Sequence, residues 1–388
     1  MTQPPEIPNP TQEQQDEKAY QQMVSSTNPI KMLLPILIGV GFMVYVFWGK
    51  VNLEQLKTID WSPQAFFWIG IAALFMALRH FFYMIRLRLI TDGVFSWKKL
   101  FQLIMIWEFS SAVTPTSVGG SAVSMFVLTR EKIPGGKSAM IVLYTVVIDT
   151  FFYLMMLGFY LLFFGKLLLE PKIDPTELVT LKTAFWTAYL LMFTYGSIFF
   201  YGVLISPKGL QKFFILMCKI PFLRRFEAGA LKLTNDMALA SAELRQKNWK
   251  FHLGAIFSTM GAWTCRYLVF NFLAMGFIIS SHNAEIADYY TKFMDATFQG
   301  STFMEHLFMM ARQQAMYVLM AIMPTPGGAG GVEYFFLRYH HDYVLDNKSL
   351  EFVLTLLWRL LTYYVYIFFG SMVVVRWLSD NISTKKAA

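Results

Sequence analysis

Thr114-Pro115-Thr116-Ser117-Val118-Gly119-Gly120 and, 211 positions later, Thr325-Pro326-Gly327-Gly328-Ala329-Gly330-Gly331 share the pattern T-P-x-x-x-G-G. Each interrupts an apolar stretch, 100–129 and 303–339, long enough to lie in a bilayer. Proline removes a backbone donor and clashes with the preceding turn, and paired glycines weaken a helix, so both stretches should break. At membrane depth a broken helix is tolerated only where protein covers it or it lines a cavity. Breaks at corresponding places in two halves of a chain point to a transporter-type binding site.

The chain around them is suited to lipid. Of 388 residues 56% are hydrophobic, 17% aromatic and only 15% charged, against about a quarter charged in soluble proteins. The net charge of +8 does not indicate nucleic acid, because the basic residues sit between apolar runs, as the positive-inside rule requires. Cys218 and Cys265 are too far apart for a CxxC motif or a disulfide framework. Residues 1–28, rich in Gln, Pro, Glu, Ser and Thr, read as a disordered cytoplasmic tail, with no cleavable signal peptide ahead of the first apolar run.

A span needs roughly 20 apolar residues. Six are expected, at 30–48, 63–90, 138–164, 179–205, 251–281 and 350–378. From Gly120 to Arg130 the helix would rise only about 15 Å, so each broken stretch reads as a re-entrant hairpin. With the N-terminus inside, the joints holding Arg86, Arg88, Lys98 and Lys99, then Arg130, Lys132 and Lys137, and the segment 208–250 fall in the cytoplasm. The acidic or neutral loops near 54–60, 170–177 and 285–295 fall outside.

The first hairpin would then enter from the cytoplasm and the second from the opposite face. Each follows a helix with a mid-span arginine, Arg79 or Arg266, and precedes one with an isolated charge, Asp149 or Arg359. The expected architecture is therefore an all-α integral membrane protein with an inverted-topology repeat. It forms one membrane domain, 29–378, with a first repeat at 63–165, a cytoplasmic insertion at 207–250 and a second repeat at 251–378. A tail at 379–388 follows. Within the insertion, Phe213, Phe214, Leu216 and Met217 beside Lys212 and Lys219 suggest an interfacial helix.

Candidate binding residues follow from the breaks. A half-helix starting near Gly119-Gly120 or Gly330-Gly331 aims free amides at the midplane, where they favour phosphate or carboxylate. Glycine admits a head group to the backbone, and Thr114, Thr116, Ser117, Ser121 and Thr325 add hydroxyls. Carbonyls of the first arms also end there and would suit a cation, while small residues can serve helix packing alone. A mid-membrane arginine costs about 2.5–3.5 kcal/mol on insertion scales and faces a cavity or an acidic partner. Arg79 and Arg266 meet that description, with Arg359 and Arg312 at less certain depth. Arg86 and Arg88 lie near a helix end, where they can snorkel. Arginine's fork suits bidentate phosphate contacts. The plainer alternative is a set of internal ion pairs to Glu108, Asp149 or Glu333. Glu333 also reads as a helix cap, and Asp149 and Glu333 as proton carriers.

Other signals lead nowhere. Gly135-Gly136-Lys137-Ser138 lacks the first glycine and the strand of a P-loop. His340-His341-Asp342 lacks a partner motif for a metal, and no hydrolase motif is present. No metal, cofactor or catalytic residue is expected.

At Pro324-Thr325-Pro326-Gly327-Gly328-Ala329-Gly330-Gly331-Val332-Glu333, then Trp358-Arg359-Leu360 and Gly370, the chain resembles the flippase-like transmembrane family related to the membrane domain of bacterial lysylphosphatidylglycerol synthases. Pro115, Gly119, Gly120 and Asp149 resemble that family's first half more loosely. The first half departs from the pattern at Ser121-Ala122 and at Val146-Val147-Ile148. The resemblance implies a multi-pass bacterial inner-membrane protein that binds or flips phospholipid or polyprenyl-linked lipid. Pro326, Gly327, Gly328, Gly330, Glu333 and Arg359 would be its motif positions. The synthases' soluble aminoacyl-transferring domain is not in this sequence, so an enzyme is not expected. The reading is translocation of an anionic membrane lipid held by Arg79, Arg266 and Arg359 at the glycine ends, with both termini cytoplasmic. A secondary transporter of a small soluble anion would use the same architecture. A non-transporting subunit of an envelope-lipid enzyme is a further alternative.

Overall fold

Polar caps and prolines set where the helices start. In the computed structural model of the chain, the Ser62 hydroxyl accepts the Ala65 amide and Pro63 fills the first position of α1 (Pro63–Ile90). Ser96 caps α2 (Trp97–Val113) through the Lys99 amide. Then come α3 (Thr116–Arg130) and α4 (Gly135–Phe164). Asp174 caps α5 (Pro175–Phe200), Ser206 caps α6 (Pro207–Cys218) and Asn248 caps α7 (Trp249–Ala274). Helices α8 (Ala284–Phe298), α9 (Thr302–Met320) and α10 (Gly331–His340) follow. Asn347 caps α11 (Lys348–Arg359), which a wide π-type turn, Leu360–Tyr364, joins to α12 (Val365–Ala387). Similar turns extend α5 over Tyr201–Ile205 and α7 over Met275–Ile279.

The structure describes residues 53–57, 59–114, 116–171, 174–219, 240–281, 284–320, 323, 325–344 and 347–387, with isolated positions among 37–48 and at 235 and 238. Regular structure among them is helical. Five stretches are long and apolar enough to cross a membrane: Pro63–Ile90, Gly135–Phe164, Pro175–Ile205, Trp249–Ile279 and Lys348–Asp380. They match five of the six expected spans; the expected span at 30–48 lies almost wholly outside the described residues.

Both T-P-x-x-x-G-G stretches are broken, α2 from α3 and α9 from α10. The first break differs from expectation. Helix α3 begins at Thr116, three residues before the glycine pair, so Gly120 lies inside the helix. With 15 residues, α3 is about 22 Å long, well beyond the half-crossing expected. A Cβ on Gly120 would collide with Ser111, so this glycine lets the two arms touch.

Helices α1 and α7 form the central pair and run antiparallel. Phe82 presses on Gly261, Phe75 lies tilted against Phe272 with ring centroids 4.6 Å apart, and Ala65 and Trp68 meet Gly276. A Cβ at Gly261 would lie 2.7 Å from the Phe82 ring, so glycine is what permits the approach. Helix α2 packs against α12, with Phe109 over Gly370, and α9 packs against α4, with Gln314 Nε2 donating to the Tyr153 carbonyl at 2.8 Å.

Several of the joints expected in the cytoplasm meet at one end of the bundle. There Asp92, in the turn after α1, accepts from Lys247 at 2.5 Å and from Lys137 at 3.3 Å, while Glu131 accepts from Lys99 and from the Trp377 indole, both at 2.7 Å. Partial burial alone would raise the Asp92 pKa, but hydrogen bonds and charge from Lys247, then Lys137, outweigh it and hold the carboxyl below its ordinary range.

Two outcomes follow. Gly261→Val overpacks the α1–α7 contact and should destabilise the protein by about 1–3 kcal/mol, read as a lower thermal midpoint in detergent. Because the folded-state pKa of Asp92 is depressed, its contribution to stability is complete above the unfolded value of about 4 and is lost as pH falls through the folded one. Asp92→Asn should remove that part of the acid dependence of the midpoint.

Candidate functional site

Arg79 and Arg266 sit at one level of the antiparallel pair, since Arg79 precedes Phe82 by three residues and Arg266 follows Gly261 by five. At 1.5 Å per residue Arg79 is about 16 Å or more from either end of α1, and Arg266 about 12 Å or more from either end of α7. Arg79 is 2% exposed. Its Nη2 donates to both Glu108 oxygens, at 2.9 and 3.0 Å, and its Nη1 to the Tyr366 hydroxyl at 2.9 Å. Glu108 comes from α2 and Tyr366 from α12, so the α1 arginine fastens the first hairpin to the closing helix.

Arg266 is held differently. Its Nε donates to the Tyr317 hydroxyl at 2.7 Å, and its guanidinium lies 4.7 Å from the Tyr317 ring and 5.7 Å from that of Trp263. It is only half-buried, and no carboxylate among the described residues pairs with it. Aromatic faces offer a cation about 0.5–2 kcal/mol, much less than a full counter-charge in a poor dielectric.

The remaining deep arginines are paired one to one. Arg86, 8% exposed, bonds Asp149 at 2.6 Å and Thr259 at 2.9 Å. It is therefore an internal ion pair rather than the snorkelling side chain its place near the helix end suggests. Asp149 also accepts from the Trp263 indole at 3.0 Å. Tyr83 lies between Arg79 and Arg86, with its ring 4.6 Å from the first guanidinium and 4.5 Å from the second. Arg312 pairs with Asp342 at 2.7 Å and donates to the Tyr339 carbonyl at 2.9 Å.

Arg359 pairs with Glu333 at 2.6 Å, both almost fully buried. The other Glu333 oxygen accepts the Gly330 amide at 2.8 Å. The positive end of α10 is thus capped by its own carboxylate, which Arg359 in turn neutralises. Gly327, Gly328 and Gly330 have φ of +56°, +69° and +87°, left-handed values that a side chain would strain. The Tyr363 ring fills the space a Cβ on Gly327 would need, and Met323 covers Gly331.

The Tyr363 hydroxyl lies 3.0 Å from the Ala112 carbonyl, in the last turn before the first break, and 3.5 Å from that of Pro326, in the second. The two breaks therefore meet at one side chain. Their hydroxyls turn inward: Thr114 donates to the Ser110 carbonyl at 2.6 Å and Thr325 to that of Ala329 at 2.8 Å. Pro115, and the side chains of residues 116–119, including the Gly119 position, lie outside what the structure describes.

The candidate residues thus fall into two groups. Arg79, Glu108, Arg266 and Asp149 gather around Trp263, while Thr325, Pro326, Gly327, Gly328, Gly330, Gly331, Glu333 and Arg359 form the second turn. Sequence reasoning missed Trp263, Tyr317, Tyr83, Tyr366 and the pairing of Arg86. Trp263 was accessible as the i−3 neighbour of Arg266, and Arg86 as the residue two turns from Arg79 on the same face. The tyrosines from α9 and α12 had no local signal. The His340-His341-Asp342 run is shared among Gln313, Glu351 and Arg312. A groove of about 340 Å³ at the α5–α6 elbow, lined by Ser197, Ile198, Tyr201, Gly209 and Phe213, has no charged wall and is not the arginine site.

A family model described as lysylphosphatidylglycerol synthase TM region matches residues 32–298. The chain belongs to this family. The match includes Arg79, Arg86, Glu108, Asp149 and Arg266. It ends before the second glycine-rich stretch, Glu333 and Arg359. No curated protein and no solved structure matches the chain. Membership in the family, together with the five apolar helices, makes this a membrane protein of the synthases' transmembrane type.

Glu333→Gln leaves Arg359 buried without its counter-charge and should cost about 3–5 kcal/mol. The double variant Glu333→Gln/Arg359→Met should recover most of that loss. Thermal midpoints of the two single variants and the double give the coupling directly.

Proposed function

We propose that the protein moves an anionic lipid across the membrane, with its head group received at Arg266 beside Arg79. One observation carries this reading. Arg266 is a half-buried guanidinium deep in an apolar helix, and among the described residues a phenol, not a carboxylate, is its polar partner. Such a charge is costly unless something compensates for it, and an anion arriving from outside the protein would do so. Arginine can present two parallel donors to a phosphate, and here Nε is engaged while the charge remains unmatched. Glu108 and Asp149, with side chains 18% and 22% exposed, are where the cluster opens to its surroundings.

Lipid is preferred to a soluble anion because the chain belongs to the family of a lipid synthase's membrane region. In this reading the broken stretches are re-entrant hairpins of an inverted repeat whose turns meet at Tyr363. The protein lies in a bacterial cytoplasmic membrane with both termini inside. The second turn, closed by Arg359 and Glu333, is a hinge support and not a head-group contact.

The test is reconstitution in liposomes with a fluorescent phospholipid and a polyprenyl-phosphate analogue, with and without a pH gradient. Arg266→Gln should slow lipid movement by about tenfold or more, the rate equivalent of 1.4 kcal/mol, while Arg266→Lys retains part of the rate. If no lipid moves under any gradient while a soluble anion does, the soluble-anion transporter replaces this reading.

A further inference from the structure

The charges around the site can be counted. On α1, α2, α4 and α7, Arg79 is matched by Glu108 and Arg86 by Asp149, and Arg266 is left over. Three guanidinium groups and two carboxylates give one positive charge in excess. The neighbouring aromatic groups, Tyr83, Trp263, Tyr317 and Tyr366, add dipoles and hydroxyls but no formal charge. The nearest other carboxylate on α9 is Glu305, bonded to Tyr290. It stands twelve residues from Tyr317, about 18 Å along the helix.

From this balance we infer that the site selects a singly charged phosphodiester over a doubly charged phosphomonoester, and that Glu108 is the residue that sets the limit. The inference rests on the anion-site reading above. A monoanion brings the cluster to neutrality. A dianion would leave one negative charge without a partner in surroundings of low dielectric, where removing an ion from water costs several kcal/mol unless it is paired. Glu108 enforces this because both its oxygens accept from Nη2 of Arg79 and neutralise that guanidinium. Without Glu108 the same pocket would hold two unmatched arginines. Glu108 is a positioning residue, acting on the ligand through Arg79.

The ligand's own titration supplies a test that needs no variant. A phosphomonoester loses its second proton at a pKa of about 6, whereas a phosphodiester stays singly charged. The full chain is placed in phosphatidylcholine nanodiscs. Binding of phosphatidylglycerol and of phosphatidic acid with identical acyl chains is measured at about pH 5 and about pH 8, which bracket that pKa.

His80 adjoins the site on α1, with its ring stacked 6.2 Å from that of Tyr366 and tilted 4.8 Å from that of Phe101. The ratio of the two affinities is the readout, because it cancels any effect of pH on the bilayer or on the fold that both lipids share. The ratio of phosphatidic acid to phosphatidylglycerol affinity should fall about tenfold or more from the lower to the higher pH, a change of about 1.4 kcal/mol. Glu108→Gln should remove most of that fall, and Glu108→Asp should keep it. A constant ratio, or one that rises with pH, overturns the charge limit while leaving the anion site standing. If neither lipid binds, or if Arg266→Gln leaves both affinities unchanged, the anion site itself is wrong.

Discussion

Everything in this bundle is arranged around keeping positive charge inside an apolar protein. Arg79, Arg86, Arg312 and Arg359 are each matched to a carboxylate on another helix. The partners come from α2, α4, the turn after α10, and α10. The pairs therefore act as cross-links as well as neutralising contacts: they join α2 to α1, α4 to α1, the turn after α10 to α9, and α10 to α11. A buried pair of this kind is weak evidence of extra stability, because dehydrating both ions offsets much of their attraction. Its force is in specificity. Any packing that separates one pair strands an ion in a medium that cannot solvate it.

Against that background Arg266 stands apart. The α1–α7 pair brings it to the level of Arg79 through Gly261 and Gly276, so the contact that sets the fold also sets the local charge. The aromatic groups around it are suited to this situation. They lessen the penalty of a guanidinium that no described carboxylate pairs with, without cancelling its charge, and in the proposed function that charge is what receives the anion. Among the described residues of this cluster, Arg79 and Arg86 are paired with carboxylates and Arg266 is held by a phenol.

Much of the fold was legible in the sequence because the relevant signals are local. Apolar length marked the spans, to within a few residues at their starts. Proline beside glycine marked the two breaks. What was not legible depends on contacts between distant segments. Nothing near Arg86 announces Asp149, sixty-three residues away, and nothing near Arg266 announces Tyr317. The helix start at Thr116 was misplaced because glycine was read as a terminus, whereas Gly120 is there to let Ser111 approach. The likeness between the two T-P-x-x-x-G-G stretches also conceals a difference, since only the second keeps its glycines in left-handed turns beside an acidic cap.

One hydroxyl lies at the seam where the breaks meet. Tyr363 reaches carbonyls from both, at 3.0 Å to Ala112 and 3.5 Å to Pro326, but a phenol carries a single proton and serves one acceptor fully at a time. The shorter contact, to Ala112, holds that proton, and the Pro326 carbonyl lies at the limit of its reach. One side chain from the closing segment thus sets how near the two breaks stand to each other.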